Sequence, residues 1–437
     1  MAFSLPLLSA FDITIFRHND KLCNPNFIND MRITPQEAAN RLCESISVPI
    51  SSGNGKRKAK GTNTITFVKS HGDPASPTLY DFATPDGHII TTPADSDLPP
   101  ILANYEAVDG NPPPALKDWL DSYNDEINWW QSVGHDLDME FAALPEVTTV
   151  GKTIGPLINC HWHQTAPYNQ LTVFGGETCM TGCWATAMAQ LAYYWGCQKH
   201  DGKYYRVGCT DLDAYKTKTT RKDISGLPSI AIFDFDNMPS GKPTTAAQKA
   251  AVAQLMLYCG CAMKMNYAPG SSGAYISDLP AVLRENLRMG NPILIQASSG
   301  MDAFARRIIA ELEAGRPCLF RGSGDDGGHA FICDGFNPVE NLFHFNWGWG
   351  GKYDGWFALS AMKPSHYNFT SNKKAVVNIQ PKVWGDVNGD GEVTVSDAMA
   401  IQKQILTGNK TLEGDANYDG DVNVADMMMV VGKTLEG

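Results

Sequence analysis

Hydrophobic positions along the chain fall into two kinds of segment, some recurring at helical spacing and some alternating or running apolar for a few residues. Leu116, Trp119, Leu120, Tyr123, Ile127 and Trp130 follow the break Pro112-Pro113-Pro114 at steps of three and four, which predicts a helix with a strongly apolar stripe. That stripe packs either within its own domain or against another. Trp184 to Trp195, Gln248 to Tyr258 and Ala303 to Leu312 read as further helices. Pro292-Ile293-Leu294-Ile295, Cys318-Leu319-Phe320 and Ala330-Phe331-Ile332-Cys333 read as strands, and Leu79 to Thr92 alternates around Pro85-Asp86-Gly87 as a hairpin does. Near the start, Thr34-Pro35-Gln36-Glu37 has the form of a capping box opening a short helix to Leu42. The expected fold class is α+β, a helix packed on an antiparallel sheet.

Candidate chemistry sits at the ends of these elements. Cys183, in Thr181-Gly182-Cys183-Trp184-Ala185-Thr186-Ala187, opens the helix that runs to Trp195. A thiol attacks carbonyls as thiolate, and a helix N-terminus with a neighbouring imidazolium can bring its pKa from ~8.5 to ~3.5–7.5. His329 follows the turn-rich run Ser323-Gly324-Asp325-Asp326-Gly327-Gly328 and is expected at the lip of a sheet. Asn346, in Asn346-Trp347-Gly348-Trp349-Gly350-Gly351, has an amide oxygen able to accept the imidazole N–H, with Trp347 and Trp349 shielding that bond from water. Negative charge developing on the substrate oxygen needs fixed donors; Gln164 and the Cys183 backbone N–H are the candidates. Cys179 is the rival nucleophile but lacks the Gly-Cys-X-Ala-Thr-Ala context. His161 and His163 flank Gln164, yet no further Cys, His or carboxylate pattern completes a zinc site.

These runs, together with Pro167-Tyr168-Asn169, Phe233-Asp234-Phe235-Asp236-Asn237-Met238-Pro239 and Asp334-Gly335, make the chain from about Val150 to Pro381 resemble the streptopain family of papain-like cysteine peptidases. The resemblance implies a secreted endopeptidase made as an inactive precursor. It implies Cys183 as nucleophile, His329 as base, Asn346 as its orienter, with Trp347 beside it, and Gln164 in the oxyanion hole, with no cofactor needed for catalysis. Residues 1–145 would be an inhibitory propeptide and 146–381 the peptidase domain, with cleavage between about Gly134 and Gly155. One departure is Trp184, where the family more often has a small or β-branched residue; it is expected to alter packing beside the nucleophile. Gly270-Ser271-Ser272-Gly273-Ala274 is the candidate rim of the substrate cleft.

The tail differs in charge. From Trp384 to Gly437 ten acids and three bases give a net of −7, more than half of the chain's −12. It holds two calcium-loop patterns offset by 29 residues (415 − 386). Asp386, Asn388, Asp390 and Asp397 place side-chain oxygens at loop positions 1, 3, 5 and 12, with the Glu392 carbonyl at 7; Asp415, Asn417, Asp419 and Asp426 repeat this, with Asp421 at 7. Aspartate at position 12 and a single helix-like stretch after each loop, Ala398 to Leu406 and Met427 to Val431, resemble a dockerin, the module that binds cohesin domains. Residues 382–437 would be that small all-α module, with Ca²⁺ as its ion. Val395-Ser396 and Val424-Ala425 occupy positions 10 and 11, where dockerins usually carry partner-recognition residues.

Composition narrows the rest. Net acidity argues against nucleic acid, which needs a basic face, and no apolar run approaches the ~18–20 residues of a membrane span. Met1 to Phe16 is apolar but lacks Lys or Arg before Arg17 and contains Asp12, a weak signal peptide. Ser51 to Gly61 reads as a flexible basic linker. The 11 cysteines are odd in number and irregularly spaced, so no disulfide framework is inferred. Substrates are expected to be proteins or peptides. Two competing readings are an inactive peptidase fold that works by binding through its tail, and a thiol acyltransferase.

Overall fold

The computed structural model describes residues 2–3, 31–46, 65–108, 113–132, 152–200, 203–228, 233–274, 279–297, 300–324, 327–360, 373–417 and 419–436. The basic run 51–61, most of the apolar start and the expected cleavage region as far as residue 151 lie outside these.

In the N-terminal part, helix α1 (Pro35–Ile46) begins as its capping box requires: the Thr34 N–H and hydroxyl donate to Glu37 Oε2 at 2.7 and 2.8 Å, and the Glu37 N–H donates to the Thr34 hydroxyl at 3.3 Å. Strands β1 (Ile65–Asp73), β2 (Ser76–Ala83), β3 (His88–Pro93) and β4 (Ala103–Glu106) follow, then helix α2 (Pro114–Ser132). The expected hairpin is β2 and β3, turning at Gly87 with φ 90°.

The central part contains α3 (Cys183–Trp195), α4 (Ala246–Ala262), α5 (Leu279–Asn286), β5 (Ile293–Gln296), α6 (Met301–Glu313), β6 (Cys318–Gly324), β7 (Gly327–Asn337), β8 (Leu342–Asn346), β9 (Gly355–Phe357) and β10 (Lys374–Val377). Both parts share one antiparallel sheet in the order β1-β2-β3-β4-β9-β8-β7-β6-β10-β5, with the two-residue strand Ala2–Phe3 outside β1. The joint is β4 on β9, where Tyr105 pairs with Gly355 and Ala103 with Phe357. A Cβ at residue 355 would lie 2.4 Å from the Asn104 carbonyl oxygen, so this closeness needs glycine.

Alternation along β7 splits the core. Ala330 and Ile332 pack with residues of α3 and α4, whereas Phe331 and Cys333 pack with residues of α2 and α6. Helix α2 satisfies both packing alternatives at once. Leu116, Trp119, Leu120, Tyr123 and Ile127 are all buried; Trp119 meets Phe345 edge-on at 4.9 Å and Phe331 at 5.6 Å. The Tyr123 hydroxyl lies 3.1 Å from the Leu102 carbonyl on its own side and 2.5 Å from the Ala358 carbonyl on the other. The Trp130 side chain lies outside the described residues.

In the C-terminal part, α7 (Val395–Thr407) and α8 (Val424–Glu436) pack around Ala398, Ile401, Ala416, Val422 and Val430. Both start three residues before their apolar patterns suggested. For α7 the cause is the Thr394–Asp397 capping box, which ends the loop and begins the helix together. No helix among the described residues is long and apolar enough to cross a membrane.

Candidate active site

Cys183 is the first residue of α3, placed there by Gly182 at φ 89°. A Cβ on Gly182 would stand 2.8 Å from both Met265 Cε and the Ser272 carbonyl oxygen, so the tight approach fixes where the thiol emerges. Thr186 Oγ1 donates to the Gly182 carbonyl at 3.1 Å and holds the turn. The thiol opens into a cavity of about 1030 Å³ that is also lined by Gln164, Trp184, His329, Trp349 and the whole 270–274 loop expected to form its rim. Pro113 and Ala115, from the start of α2, form part of its wall. Cys179 lies outside this cavity, and its carbonyl accepts from Asn169 Nδ2 at 3.0 Å and from Thr172 at 2.7 Å.

His329 stands within β7, on the face it shares with Phe331. Its Nε2 lies 3.1 Å from the Trp347 carbonyl oxygen, which can only accept. Nε2 therefore carries the proton, and Nδ1 of the neutral ring is the free base. Trp349 stacks on the imidazole with centroids 4.7 Å apart, at 25°. Among the described residues, no hydrogen bond joins His329 to Cys183. Burial pulls the imidazole down to about 4, partly opposed by the bond to Trp347, and burial pushes the Cys183 thiol up despite hydrogen bonding to the Ala330 backbone. Both shifts favour the neutral thiol and neutral imidazole in this form of the chain.

Asn346 does not meet the imidazole, which corrects the contact expected of it. Its Oδ1 accepts from Gln190 Nε2 and the Gly348 N–H, both at 3.1 Å, and its Nδ2 donates to the Cys160 carbonyl at 3.0 Å. The amide is 2 % exposed and fully engaged, so the carbonyl of the next residue accepts the imidazole N–H instead. Trp347 contributes that carbonyl while its ring, completely buried, stacks parallel to Trp349 at 5.6 Å. Gln164 lines the cavity with its backbone fixed: the carbonyl accepts the Thr181 N–H at 3.0 Å and its N–H donates to His163 Nδ1 at 2.8 Å. Its side-chain amide makes no hydrogen bond among the described residues.

His163 is thus a loop-fixing acceptor, and His161 pairs with Asp354 at 3.2 Å. Sequence reasoning missed Gln190, whose Oε1 also accepts the Trp162 N–H at 3.1 Å and so ties α3 to both active-site loops. A fully buried glutamine in a helix of alanines is the signal that could have found it. The Trp347 carbonyl leaves no such signal, since every residue has one.

The C-terminal loops repeat one internal pattern. Asp386 accepts the Gly389 and Gly391 N–H groups (2.8 and 2.9 Å), Asn388 accepts that of Asp390 (2.8 Å), and Asp390 accepts that of Glu392 (2.9 Å). Buried Asp397 accepts from Val387 and Thr394, each at 2.8 Å. In the second loop Asp415 accepts from Asp419 and Gly420, Asn417 from Asp419, Asp419 from Asp421, and Asp426 from Asn417 and Asn423. The position-6 glycines, Gly391 and Gly420, have φ 89° and 93°. The ordered donors are hard oxygens from Asp, Asn and backbone, the class calcium takes. Among the described residues, no three His, Cys, Asp or Glu side chains cluster as a metal site.

Residues 162–357 match the Peptidase C10 family and residues 384–433 the Dockerin type I domain. The central part is a cysteine peptidase similar to the C10 family. Streptopain of Streptococcus pyogenes is 27% identical over 387 residues, covering 82% of this chain and 95% of that protein. The thiol protease/hemagglutinin PrtT of Porphyromonas gingivalis is 26% identical over 339 residues, 69% of this chain and 37% of that protein. Among solved structures, a mutant prointerpain A fragment of Prevotella intermedia superposes with a TM-score of 0.60 at 27% identity, over 73% of this chain and 99% of that one. The fold of the central part is accordingly papain-like. Trp184, expected to alter packing beside the nucleophile, lines the cavity and is 7 % exposed.

Proposed function

We propose that the chain is the precursor of an endopeptidase in which Cys183 is the nucleophile and His329 the base. What supports this most is the His329 tautomer: Nε2–H is held by the Trp347 carbonyl, so Nδ1 is the free nitrogen in a cavity that the Cys183 thiol also lines. Proton transfer from Sγ to Nδ1 gives thiolate and imidazolium. The thiolate attacks the peptide carbonyl, and the oxyanion is met by the Gln164 amide and the Cys183 N–H. His329 then protonates the leaving amine as the carbon–nitrogen bond breaks, leaving a thioester. Water, giving its proton to His329, hydrolyses that ester and restores the thiol.

Residues 1–145 act as the inhibitory propeptide and 146–381 as the peptidase. Pro113 and Ala115 in the cavity wall, together with the strand joint β4–β9, support latency. Residues 382–437 are the calcium-binding dockerin-like module, its ions held by the side chains of Asp386, Asn388, Asp390, Asp397, Asp415, Asn417, Asp419 and Asp426 and the carbonyls of Glu392 and Asp421. Bound calcium would supply charge neutralisation that fixes each loop on its helix. A cohesin-like partner is supported by exposed Val395, Met399 and Leu406 on α7, repeated 29 residues later as Val424, Met428 and Leu435 on α8. Such a module belongs outside the cell or at its surface, where calcium is plentiful.

The test is casein hydrolysis and self-processing of full-length protein in reducing, calcium-containing buffer, beside Cys183→Ala and Cys179→Ala. Wild type and Cys179→Ala should shorten and digest casein while Cys183→Ala stays full length and inert. A wild type that stays inert after a second protease has trimmed the 134–155 region would overturn the catalytic reading and favour binding through the tail. Product transfer to an added amine in preference to water would favour an acyltransferase.

A further inference from the structure

A buried carboxylate that the mechanism does not use lies one peptide away from the base. Asp354 follows the tryptophan loop, just ahead of β9, and its side chain is 7 % exposed. Its Oδ1 accepts the Trp347 N–H at 2.9 Å, and its Oδ2 lies 3.2 Å from His161 Nδ1. The carbonyl of the same Trp347 accepts His329 Nε2–H, and the N–H of the next residue, Gly348, is held by Asn346 Oδ1 at 3.1 Å. The backbone that orients the base is thus gripped on both sides, by an amide at Gly348 and by a carboxylate at Trp347.

We propose that Asp354 is a positioning residue for His329, acting through the Trp347 backbone, and that His161 is its counter-ion. This rests on His329 being the base. The Gly348 N–H shares a peptide group with the Trp347 carbonyl, so its bond to Asn346 Oδ1 makes that carbonyl a better acceptor, while Asp354, on the preceding peptide, fixes the Trp347 backbone and adds the field of a buried carboxylate. A better acceptor stabilises the imidazolium more than the neutral ring, which favours the reactive ion pair. Asn346 recovers a role here, one peptide removed from the contact expected of it.

The surroundings agree with a charged Asp354. His161 is half-exposed and its ring is packed by Gly351, where a Cβ would come within 3.3 Å of it. The charged groups acting on the pair are Asp334, His344, which bonds Asp334 at 2.7 Å, and Glu106 of β4. The hydrogen bond to Asp354 raises the His161 pKa, so the imidazolium persists above its ordinary range; burial raises that of Asp354, an effect His161 opposes. Loss of His161 therefore makes Asp354 easier to protonate, and a protonated Asp354 grips the Trp347 N–H less strongly.

The experiment is the pH profile of kcat/KM for the processed enzyme with a peptide substrate, for wild type, Asp354→Ala, Asp354→Asn and His161→Gln. Asp354→Ala should lower kcat about tenfold to a hundredfold, less than the ~10²–10⁴ a general acid–base group supplies, with KM little changed, and should move the alkaline limb set by the imidazolium to lower pH. Asp354→Asn keeps an acceptor for the Trp347 N–H and should recover most of kcat while retaining part of the shifted limb. His161→Gln should move the acid limb upward. Active variants whose limbs all coincide with wild type, or an Asp354→Ala effect confined to KM or thermal stability, would overturn the proposal. Should Asp354→Ala fail to fold, the Asp354→Asn and His161→Gln limbs decide. An inactive wild type would instead overturn the peptidase reading on which this rests.

Discussion

The two ends of the chain are joined to the peptidase in opposite ways. At the N-terminal end the sheet itself continues through β4 and β9, and the apolar stripe of α2 disappears into the core beside Phe331, Phe345 and Trp347. At the C-terminal end no strand among the described residues crosses into the module; Arg288 reaches Asp415 at 3.2 Å and Val383 packs on the peptidase core. Helices α7 and α8 leave Leu406 and Leu435 78 % and 82 % exposed, whereas every described apolar residue of the α2 stripe is buried. The segment proposed to keep the enzyme silent is built as part of its core. The module proposed to find a partner keeps apolar surface outside.

The firmest way to break the N-terminal joint is at Glu126. This buried carboxylate of α2 accepts from Lys373 Nζ at 3.3 Å and from the Ser360 hydroxyl at 2.6 Å, and the ammonium also sits 4.7 Å from the Trp119 ring. Glu126→Ala leaves the Lys373 charge buried without its carboxylate and should cost about 3–5 kcal/mol. Urea denaturation in a Cys183→Ala background, where no self-cleavage intervenes, measures it. Replacing both partners with apolar residues should restore most of the loss.

Acid should also destabilise the folded precursor, through His329. Its pKa in the folded precursor, about 4, lies below the ordinary ~6.5, so the unfolded chain binds the proton more tightly. The stability this gives is complete above ~6.5 and falls as pH drops from there to about 4, by up to about 3 kcal/mol. The Cys183→Ala precursor should therefore unfold more readily at pH 4.5 than at pH 7, and His329→Ala should flatten that difference.

Tyr123→Phe should have a smaller effect, about 1–3 kcal/mol, because the buried Ala358 carbonyl loses its donor and the Trp119 indole N–H its acceptor. The effect should appear as faster trimming of the N-terminal part by an added protease. Arg288→Ala sharpens the contrast from the other end. It should widen the spread of module positions seen by small-angle scattering while the peptidase stays folded.

Much of this was legible in the chain, for identifiable reasons. The helices of Trp119, Cys183 and Val252 announce themselves because local periodicity and capping are encoded within a few residues. The strand joint β4–β9 was not legible, since Ala103 to Glu106 is short and its partner lies some 250 residues away (355 − 105 = 250). In the site, Cys183, His329 and Gln164 line one cavity as residue type and context suggested. The Asn346 contact was misjudged because a side-chain amide and a backbone carbonyl are equally good acceptors, and only the path of the Asn346–Gly351 loop decides which one reaches the ring.

On the proposed reading, Cys183 and His329 form a reactive pair that the N-terminal part holds neutral. The most direct measurement is the rate of Cys183 alkylation by iodoacetamide against pH, in an uncleaved precursor and in the enzyme after removal of the region before residue 155. The precursor thiol should react only at alkaline pH and the processed thiol already near pH 6, the difference vanishing in His329→Ala. Identical profiles before and after processing, or a processed profile unaffected by His329→Ala, would contradict that reading.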